Sequence, residues 1–189
     1  MNTTENLPND SITDPENTLL IQTKYGTIVV ELLPERAPNH VARLKELARE
    51  KFYDGVVFHR VIDGFMAQTG DPTGTGTGGS KLPNLAQEFN DMHHDRGVLS
   101  MARSSNPNSA NSQFFIVLKA APHLDRQYTA FGRVVSGMEF VDKIKKSDDP
   151  YSGMVKHPDK MISVRVAADA ANASEESASE EPAPKKKKK

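Results

Sequence analysis

The sequence predicts a mainly β protein whose strands close into a barrel, accompanied by two helices. Short β-branched and aliphatic runs separated by turn residues recur along the chain and provide seven or eight candidate strands. Only two stretches have apolar residues at spacings of three and four. The strands do not alternate with helices, which argues against an alternating α/β fold, and a closed barrel leaves no edge strand exposed.

Composition narrows the class of protein. The chain has 189 residues, enough for one domain with extended ends, and its formal net charge is −1. It has no cysteine, which excludes disulfides, zinc–thiolate sites and thiol nucleophiles. No apolar run approaches the roughly 18 residues of a membrane span. The start of the chain lacks the basic and apolar regions of a signal peptide. We therefore expect a soluble cytoplasmic protein with no membrane partner and no cofactor.

The first half of the chain predicts a hairpin, a helix and a second strand pair. Strands 18–23 and 27–33 flank a Lys-Tyr-Gly turn. A helix should begin near Pro38, because apolar residues then recur with helical spacing at Val41, Leu44, Leu47 and Ala48. Runs 56–62 and 64–69 are separated by an Asp-Gly turn and form the second pair.

The second half predicts four further strands and one helix. The strands are 98–102, 112–118, 130–135 and 161–167. The helix, 137–146, carries apolar residues at a spacing of three at Met138, Val141 and Ile144. We expect one domain over residues 18–167.

Both ends of the chain are predicted to be disordered. Residues 1–17 have almost nothing to bury, and residues 168–189 are Ala-, Ser-, Glu- and Pro-rich and end in Lys185–Lys189. The terminal lysines suggest a nucleic acid or an acidic partner. The alternative is a solvated end whose lysines meet the five acidic residues of the same tail.

Two stretches resemble known binding motifs, one for dinucleotides and one for metal ions, but their surroundings in the sequence argue against both functions. Residues 74–79 match the dinucleotide pattern GxGxxG, but Pro83 interrupts any following helix and no βαβ alternation surrounds them. A glycine loop flanking a site is the better interpretation. His93-His94-Asp95 resembles a set of metal ligands, but no further ligand cluster lies nearby in the sequence. We interpret it as a polar loop and expect no metal.

The most informative stretch is FHRVIDGFMAQTGD, residues 58–71. Arg60 lies inside an apolar run, and Phe65, Met66 and Gln68 follow on the neighbouring strand. A cation, two large apolar groups and an amide are the composition of a ligand pocket. Alternatively, Arg60 reaches to water while Phe65 and Met66 belong to the core.

A second stretch, LSMA at 99–102 followed by SQFFI at 112–116, adds weight to the pocket. Together with residues 58–71, the glycine loop, Leu124 and FGRV at 131–134, it closely resembles the cyclophilin family of peptidyl-prolyl isomerases, of the bacterial cytosolic type. The resemblance covers roughly residues 18–167. It implies an eight-stranded antiparallel β-barrel capped by two α-helices.

The resemblance also implies roles for individual residues. Arg60 matches the catalytic arginine. The positions that match the substrate-binding groove are His59, Ile62, Phe65, Met66, Gln68, Gly76, Ala102, Arg103, Gln113, Phe115, His123, Leu124 and Tyr128. His59 has an alternative role, which is only to orient Arg60 or its neighbours. Phe114 and Ile116 alternate with Phe115 and should face the core.

The implied activity is rotation about X–Pro bonds in proline-containing peptides and in unfolded or folding proteins, by a non-covalent mechanism that needs no nucleophile and no metal. A runner-up is a binding module or chaperone with the same groove and poor turnover. A third hypothesis is a scaffold tethered through the lysine tail. We expect a monomer.

Three departures from the family pattern stand out. His123 occupies the position of tryptophan in cyclosporin-sensitive members, so we expect weak cyclosporin binding. Tyr128 occupies the position of a histidine in many eukaryotic members. The loop beginning Arg103-Ser104-Ser105 is one residue longer than the usual eukaryotic pattern and adds a positive charge beside the groove.

Overall fold

The computed structural model describes residues 12–170 and contains one eight-stranded antiparallel sheet. Its strands are β1 (Thr18–Thr23), β2 (Gly26–Leu32), β3 (Arg60–Ile62), β4 (Met66–Thr69), β5 (Val98–Met101), β6 (Phe114–Val117), β7 (Ala130–Ser136) and β8 (Ser163–Val166). The helices are α1 (Pro38–Arg49) and α2 (Met138–Lys143), with 3-10 turns at Pro15–Asn17 and Pro122–Leu124. All the predicted strands and both helices are present: β1 has the predicted bounds, β2 is shifted by one residue, β7 is one residue longer, and the other strands and α2 are shorter than predicted.

The expected closed barrel is wrong. The strand order is β3-β4-β6-β5-β7-β2-β1-β8, so β3 and β8 are unpaired edges of an open, curled half-barrel. Residues 153–161 run between these edges and bond irregularly to residues 55–61, with single bridges at Val57–Lys160 and Arg60–Met154. Pro158 has no N–H to donate there, so a regular ladder cannot form. The segment nevertheless covers the edge of β3.

The two faces of the sheet support different clusters. Phe114 and Ile116 are fully buried in the main core under α1, as predicted, whereas Phe115 belongs to a second cluster with Met66 and Leu124. This follows from the alternation of side chains along β6. The second cluster lies where the candidate site residues converge.

Helix α1 begins without a capping side chain of its own, since Ala37 occupies the N-cap position. The Glu88 carboxylate supplies the missing acceptor and takes hydrogen bonds from the backbone N–H groups of Asn39 (3.2 Å) and His40 (2.9 Å). Glu88 thereby attaches the second half of the long connection 70–97 to the start of α1.

Of the terminal extensions, the structure describes only residues 12–17 and 168–170. Arg49 joins them by ion pairs to Glu16 (2.9 Å) and Asp169 (3.0 Å), and residues 167–170 are helical. The rest of the predicted disordered ends, including Lys185–Lys189, lies outside the described residues. Within residues 12–170, no helix has the length and apolar character needed to cross a membrane.

Candidate active site

Most of the predicted site residues surround one cavity of about 320 Å³. Those lining it are His59, Arg60, Phe65, Met66, Gln68, Gly76, Ala102, Arg103, Phe115, Leu124 and Tyr128. Ile62, Gln113 and His123 do not line this cavity. The cavity is open to solvent on one side, and strands β3, β4 and β6 with the loop after β5 form its walls.

The floor of the cavity is apolar. Phe115, Met66 and Leu124 are each at least 94% buried and belong to the second cluster. Tyr128 packs edge-on against Phe115, with ring centroids 5.8 Å apart. An apolar depression of this size fits a small aliphatic ring, and burial of such a ring is favourable by about 25 cal/mol per Å² of apolar surface.

Arg60 lies at the rim and is fixed from two sides. Its Nη1 donates to Oε1 of Gln68 at 3.2 Å, which follows from the direct pairing of these residues across β3 and β4. Its Nε donates to the carbonyl oxygen of Ser152 at 3.1 Å. The half-buried guanidinium therefore has a set direction beside the apolar floor, with N–H groups still available.

A chain of amides continues from Arg60 to the glycine loop. Nε2 of Gln68 donates to Oε1 of Gln113 at 2.9 Å. Nε2 of Gln113 then donates to the carbonyl oxygens of Gly76 (3.0 Å) and Gly78 (2.9 Å). Gln113 thus supports the site from behind and also lines a second, polar cavity of about 470 Å³.

The glycine loop is organised around Asp71, whose side chain is buried. The Asp71 carboxylate accepts hydrogen bonds from the backbone N–H groups of Thr73 (2.8 Å), Gly76 (2.7 Å) and Gly78 (3.1 Å), and from the Thr73 hydroxyl (2.7 Å). Burial by itself raises the pKa of Asp71, but these hydrogen bonds outweigh it and lower the pKa to about 2. The loop is therefore wrapped around a carboxylate of its own chain, and no helix follows it in residues 80–97.

His59 is 1% exposed and packs beneath the loop, 3.5 Å from the position that a Cβ on Gly76 would occupy. Burial lowers its pKa, although the nearby Asp71 charge opposes the shift. Neither ring nitrogen has a hydrogen-bond partner among the described residues. His59 thus packs next to Arg60 without a hydrogen bond between the two.

Two other predicted site residues lie beside the cavity. His123 is exposed, and its ring lies 5.7 Å from that of Phe65. Ile62 packs against the second cluster and against the loop at Gly153.

His93 and His94 do not converge on a set of metal ligands. Both rings contact Asp125 at 3.0 Å, and no group of three possible ligands occurs in residues 12–170.

His94 forms part of the support beneath the floor. It is 1% exposed, its Nε2 lies 2.8 Å from the Ser100 hydroxyl, and its ring stacks on Phe115 at 6.3 Å. Asp125 follows the cavity residue Leu124, so His94 connects β5, Phe115 and the Pro122–Leu124 turn. Burial lowers the pKa of His94, against the opposing effect of Asp125.

Sequence reasoning missed three contributors. Thr75 and Met154 line the cavity, and the Ser152 carbonyl holds Arg60. Thr75 lies within the glycine motif at 74–79, next to the predicted site residue Gly76, so the motif could have indicated it. Ser152 and Met154 lie in the polar stretch 147–160, where no pattern in the sequence indicates a contact with a strand about 90 residues earlier.

Most of the described chain is similar in sequence to known proteins. Residues 18–166 match the family model described as cyclophilin type peptidyl-prolyl cis-trans isomerase/CLD. A probable peptidyl-prolyl cis-trans isomerase of Brucella suis is 52% identical over 170 residues, covering 84% of this chain and 87% of the relative. The mouse peptidyl-prolyl cis-trans isomerase-like 3 is 46% identical over 132 residues, covering 67% and 80%.

Solved structures agree as well. A cyclophilin from Hirschia baltica has a TM-score of 0.74 and 29% identity, covering 82% of this chain and 76% of that one. A cyclophilin-type isomerase from Cryptosporidium parvum, crystallised in the presence of the dipeptide Ala-Pro, has a TM-score of 0.72 and 30% identity. It covers 79% of this chain and 98% of that one.

Proposed function

The chain belongs to the family of cyclophilin-type peptidyl-prolyl cis-trans isomerases, and from this membership we propose that Arg60 catalyses rotation about X–Pro bonds held over the apolar cavity. The observation that carries the proposal is the position of its guanidinium. It is fixed by Gln68 and Ser152 at the rim of a floor made of Phe115, Met66 and Leu124.

The barrier that the site must lower comes from amide resonance. Rotation about an X–Pro bond has a barrier of roughly 18–20 kcal/mol and takes tens to hundreds of seconds without a catalyst. As the bond twists, the lone pair of the prolyl nitrogen is no longer shared with the carbonyl. A donor aimed at this nitrogen stabilises the twisted state more than either planar state, and only such differential stabilisation raises the rate.

Arg60 suits this role because a guanidinium stays protonated at any ordinary pH and offers five N–H donors in a fixed plane. Its Nε and Nη1 are engaged with Ser152 and Gln68, which leaves donors on Nη1 and Nη2 for the substrate. The apolar floor would hold the proline ring by burial alone. Gln68, which lines the same cavity, would contact the substrate carbonyl. The mechanism forms no covalent bond.

The substrates we propose are proline-containing peptides and unfolded or folding proteins. The Cryptosporidium relative was crystallised with Ala-Pro, the smallest ligand of this chemistry.

We also propose that cyclosporin binds weakly, since an exposed histidine, His123, stands beside Phe65. A tight cyclosporin inhibition constant would contradict this. We further propose a cytoplasmic location, with which the cysteine-free composition is consistent, to be checked by fractionation. We also propose a monomer, to be checked by ultracentrifugation.

A protease-coupled isomerisation assay on an Ala-Pro test peptide, paired with NMR titration of the same peptide, tests the activity. The proposal predicts binding together with a rate well above the uncatalysed one. Binding without acceleration would instead support the runner-up, a proline-peptide recognition module. Deleting residues 171–189 tests the scaffold hypothesis independently of catalysis. If the hypothesis is correct, the deletion lowers binding of nucleic acid or of an acidic partner and leaves the isomerisation rate unchanged.

A further inference from the structure

Arg103 presents a fixed cation on the wall of the groove. Its guanidinium lies 4.6 Å from the centre of the Tyr128 ring, within the range of a cation–π contact. Its Nε and Nη2 donate to the Gln127 carbonyl oxygen (3.0 and 2.7 Å), and its Nη1 donates to that of Ser104 (2.9 Å). These contacts set the direction of the side chain and reduce the entropy lost when it binds a ligand.

The same contacts leave the charge of Arg103 uncompensated. Carbonyl oxygens and an aromatic ring carry no formal charge. A fourth, longer hydrogen bond runs from Nη1 to the Ser105 carbonyl oxygen (3.5 Å), so Nε, Nη1 and one N–H of Nη2 are engaged and the second N–H of Nη2 is not. Among residues 12–170, no carboxylate oxygen lies within ion-pair distance of Arg103, whereas Arg36, Arg49, Arg96, Arg133 and Arg165 each have an acidic partner. A cation that is fixed but unpaired is available to a ligand.

The surroundings reinforce this charge. Arg103 borders both the apolar cavity and the polar cavity beside it, and neither is lined by an aspartate or a glutamate. The second cation on the lining is Arg60. The carboxylate of Asp71 lies behind the glycine loop with its oxygens occupied by loop N–H groups. A peptide in this groove therefore meets a positive potential next to the proline position.

We propose that Arg103 determines substrate specificity by favouring an acidic side chain in a residue adjacent to the proline. This inference rests on the proposed isomerase function and names the substrate class of the same groove. Arg103 recognises the carboxylate through its charge and the unengaged N–H of Nη2, while Arg60 acts at the prolyl nitrogen. A lysine at the same substrate position is disfavoured by both arginines.

The test uses peptides with blocked ends, because a terminal or succinyl carboxylate would itself supply the acidic group. Acetylated and amidated Ala-Xaa-Pro-Ala and Ala-Ala-Pro-Xaa peptides, with Xaa as Glu, Gln or Lys, are compared by NMR exchange spectroscopy. Rates are expressed relative to the uncatalysed rate of each peptide. Partly exposed ion pairs are modest in energy, so we expect kcat/KM for Glu to exceed that for Gln by about two- to fivefold in at least one placement.

Two variants assign the effect. Arg103→Ala should abolish the Glu preference, and Arg103→Glu should reverse it in favour of Lys. The control is Arg133→Ala, which removes the same charge from the outer surface of the sheet and should leave the preference intact. The preference should also shrink with added salt. Equal rates for the three peptides, or a Glu preference that survives in Arg103→Ala, would overturn the inference while leaving the isomerase function intact. No acceleration of any peptide would instead reject the proposed function.

Discussion

Nη1 of Arg60 lies 3.2 Å from Oε1 of Gln68, and the two residues face each other directly across β3 and β4. The register of β3 and β4 therefore places the proposed catalytic cation next to this amide. A shift of one residue would turn one of them to the opposite face of the sheet. The position of Arg60 depends on the strand pair and on the groups that hold Gln68.

The first prediction concerns Gln113, which links Gln68 to the glycine loop. Gln113→Ala removes the acceptor of Gln68 and the donor to Gly76 and Gly78. We expect kcat/KM to fall about three- to tenfold, since each lost hydrogen bond contributes roughly 1 kcal/mol. Gln22→Ala on β1 is the matched control and should retain the wild-type rate. Full activity in Gln113→Ala would show that the amide chain does not position the site.

Gly153 offers a sharper test of the support behind Arg60. It has φ +71°, and an added Cβ would lie 2.6 Å from Cγ1 of Ile62 and 3.0 Å from Cγ of Arg60. Gly153→Ala should therefore displace Arg60 or the Ser152 carbonyl and lower kcat, in addition to a cost of about 1 kcal/mol for the backbone conformation.

Gly55→Ala is the control, because Gly55 has φ +76° and nothing within 4 Å of the added Cβ. Both variants should lose stability in urea unfolding through the backbone conformation, Gly153→Ala the more because of its added contacts, and only Gly153→Ala should lose activity. If the two variants kept the same kcat, the Ser152 loop would have no part in positioning Arg60.

The third prediction concerns Asp71. Asp71→Ala leaves the N–H groups of Thr73, Gly76 and Gly78 without their acceptor. We expect faster amide hydrogen exchange over residues 73–78, because the protecting carboxylate is absent, and a weaker peptide affinity, because Thr75 and Gly76 line the cavity. Asp91→Asn, at a surface ion pair, should change neither quantity. Unaltered exchange in Asp71→Ala would contradict the organising role of Asp71.

The buried histidines predict a pH dependence of stability. Burial lowers the pKa values of His40, His59 and His94 below the usual 6.5 in the folded chain. The unfolded chain therefore takes up protons first, and the free energy of unfolding should fall as the pH drops below about 6.5. Exposed His93 opposes this trend, since hydrogen bonding to Asp125 raises its pKa. Urea unfolding at pH 7.5 and 5.5 measures the balance, and an equal or greater stability at pH 5.5 would refute it.

Local patterns predicted much of this molecule because the relevant forces are local. Alternation along β6 placed Phe114 and Ile116 in the core and Phe115 on the cavity side. Helical spacing located α2, although it also counted Ile144, whose side chain is buried but whose backbone is extended at ψ 132°. Burial and backbone conformation are separate properties, and periodicity reports only the first.

The missed features depend on distant pairings. Whether β3 and β8 pair is decided by the irregular path of residues 153–161 between them, and no pattern inside either strand encodes it. The Ser152 carbonyl that holds Arg60 is a backbone group, so its residue type carries no signal. The organising role of Asp71 depends on hydrogen bonds that form only when the loop folds around its carboxylate, so the sequence alone does not indicate it.

The central claim is that Arg60 accelerates bond rotation and contributes less to ground-state binding. The most direct measurement is NMR exchange spectroscopy on an Ala-Pro peptide with wild type, Arg60→Lys and Arg60→Ala, with the dissociation constant measured on each. We predict that Arg60→Ala lowers the catalysed rate at least a hundredfold while affinity changes far less, a loss of roughly 3 kcal/mol as expected for a donor acting in the transition state. Arg60→Lys, a point charge without the planar donors, should recover only part of the rate. A folded Arg60→Ala that binds the peptide and keeps the wild-type rate would contradict the claim.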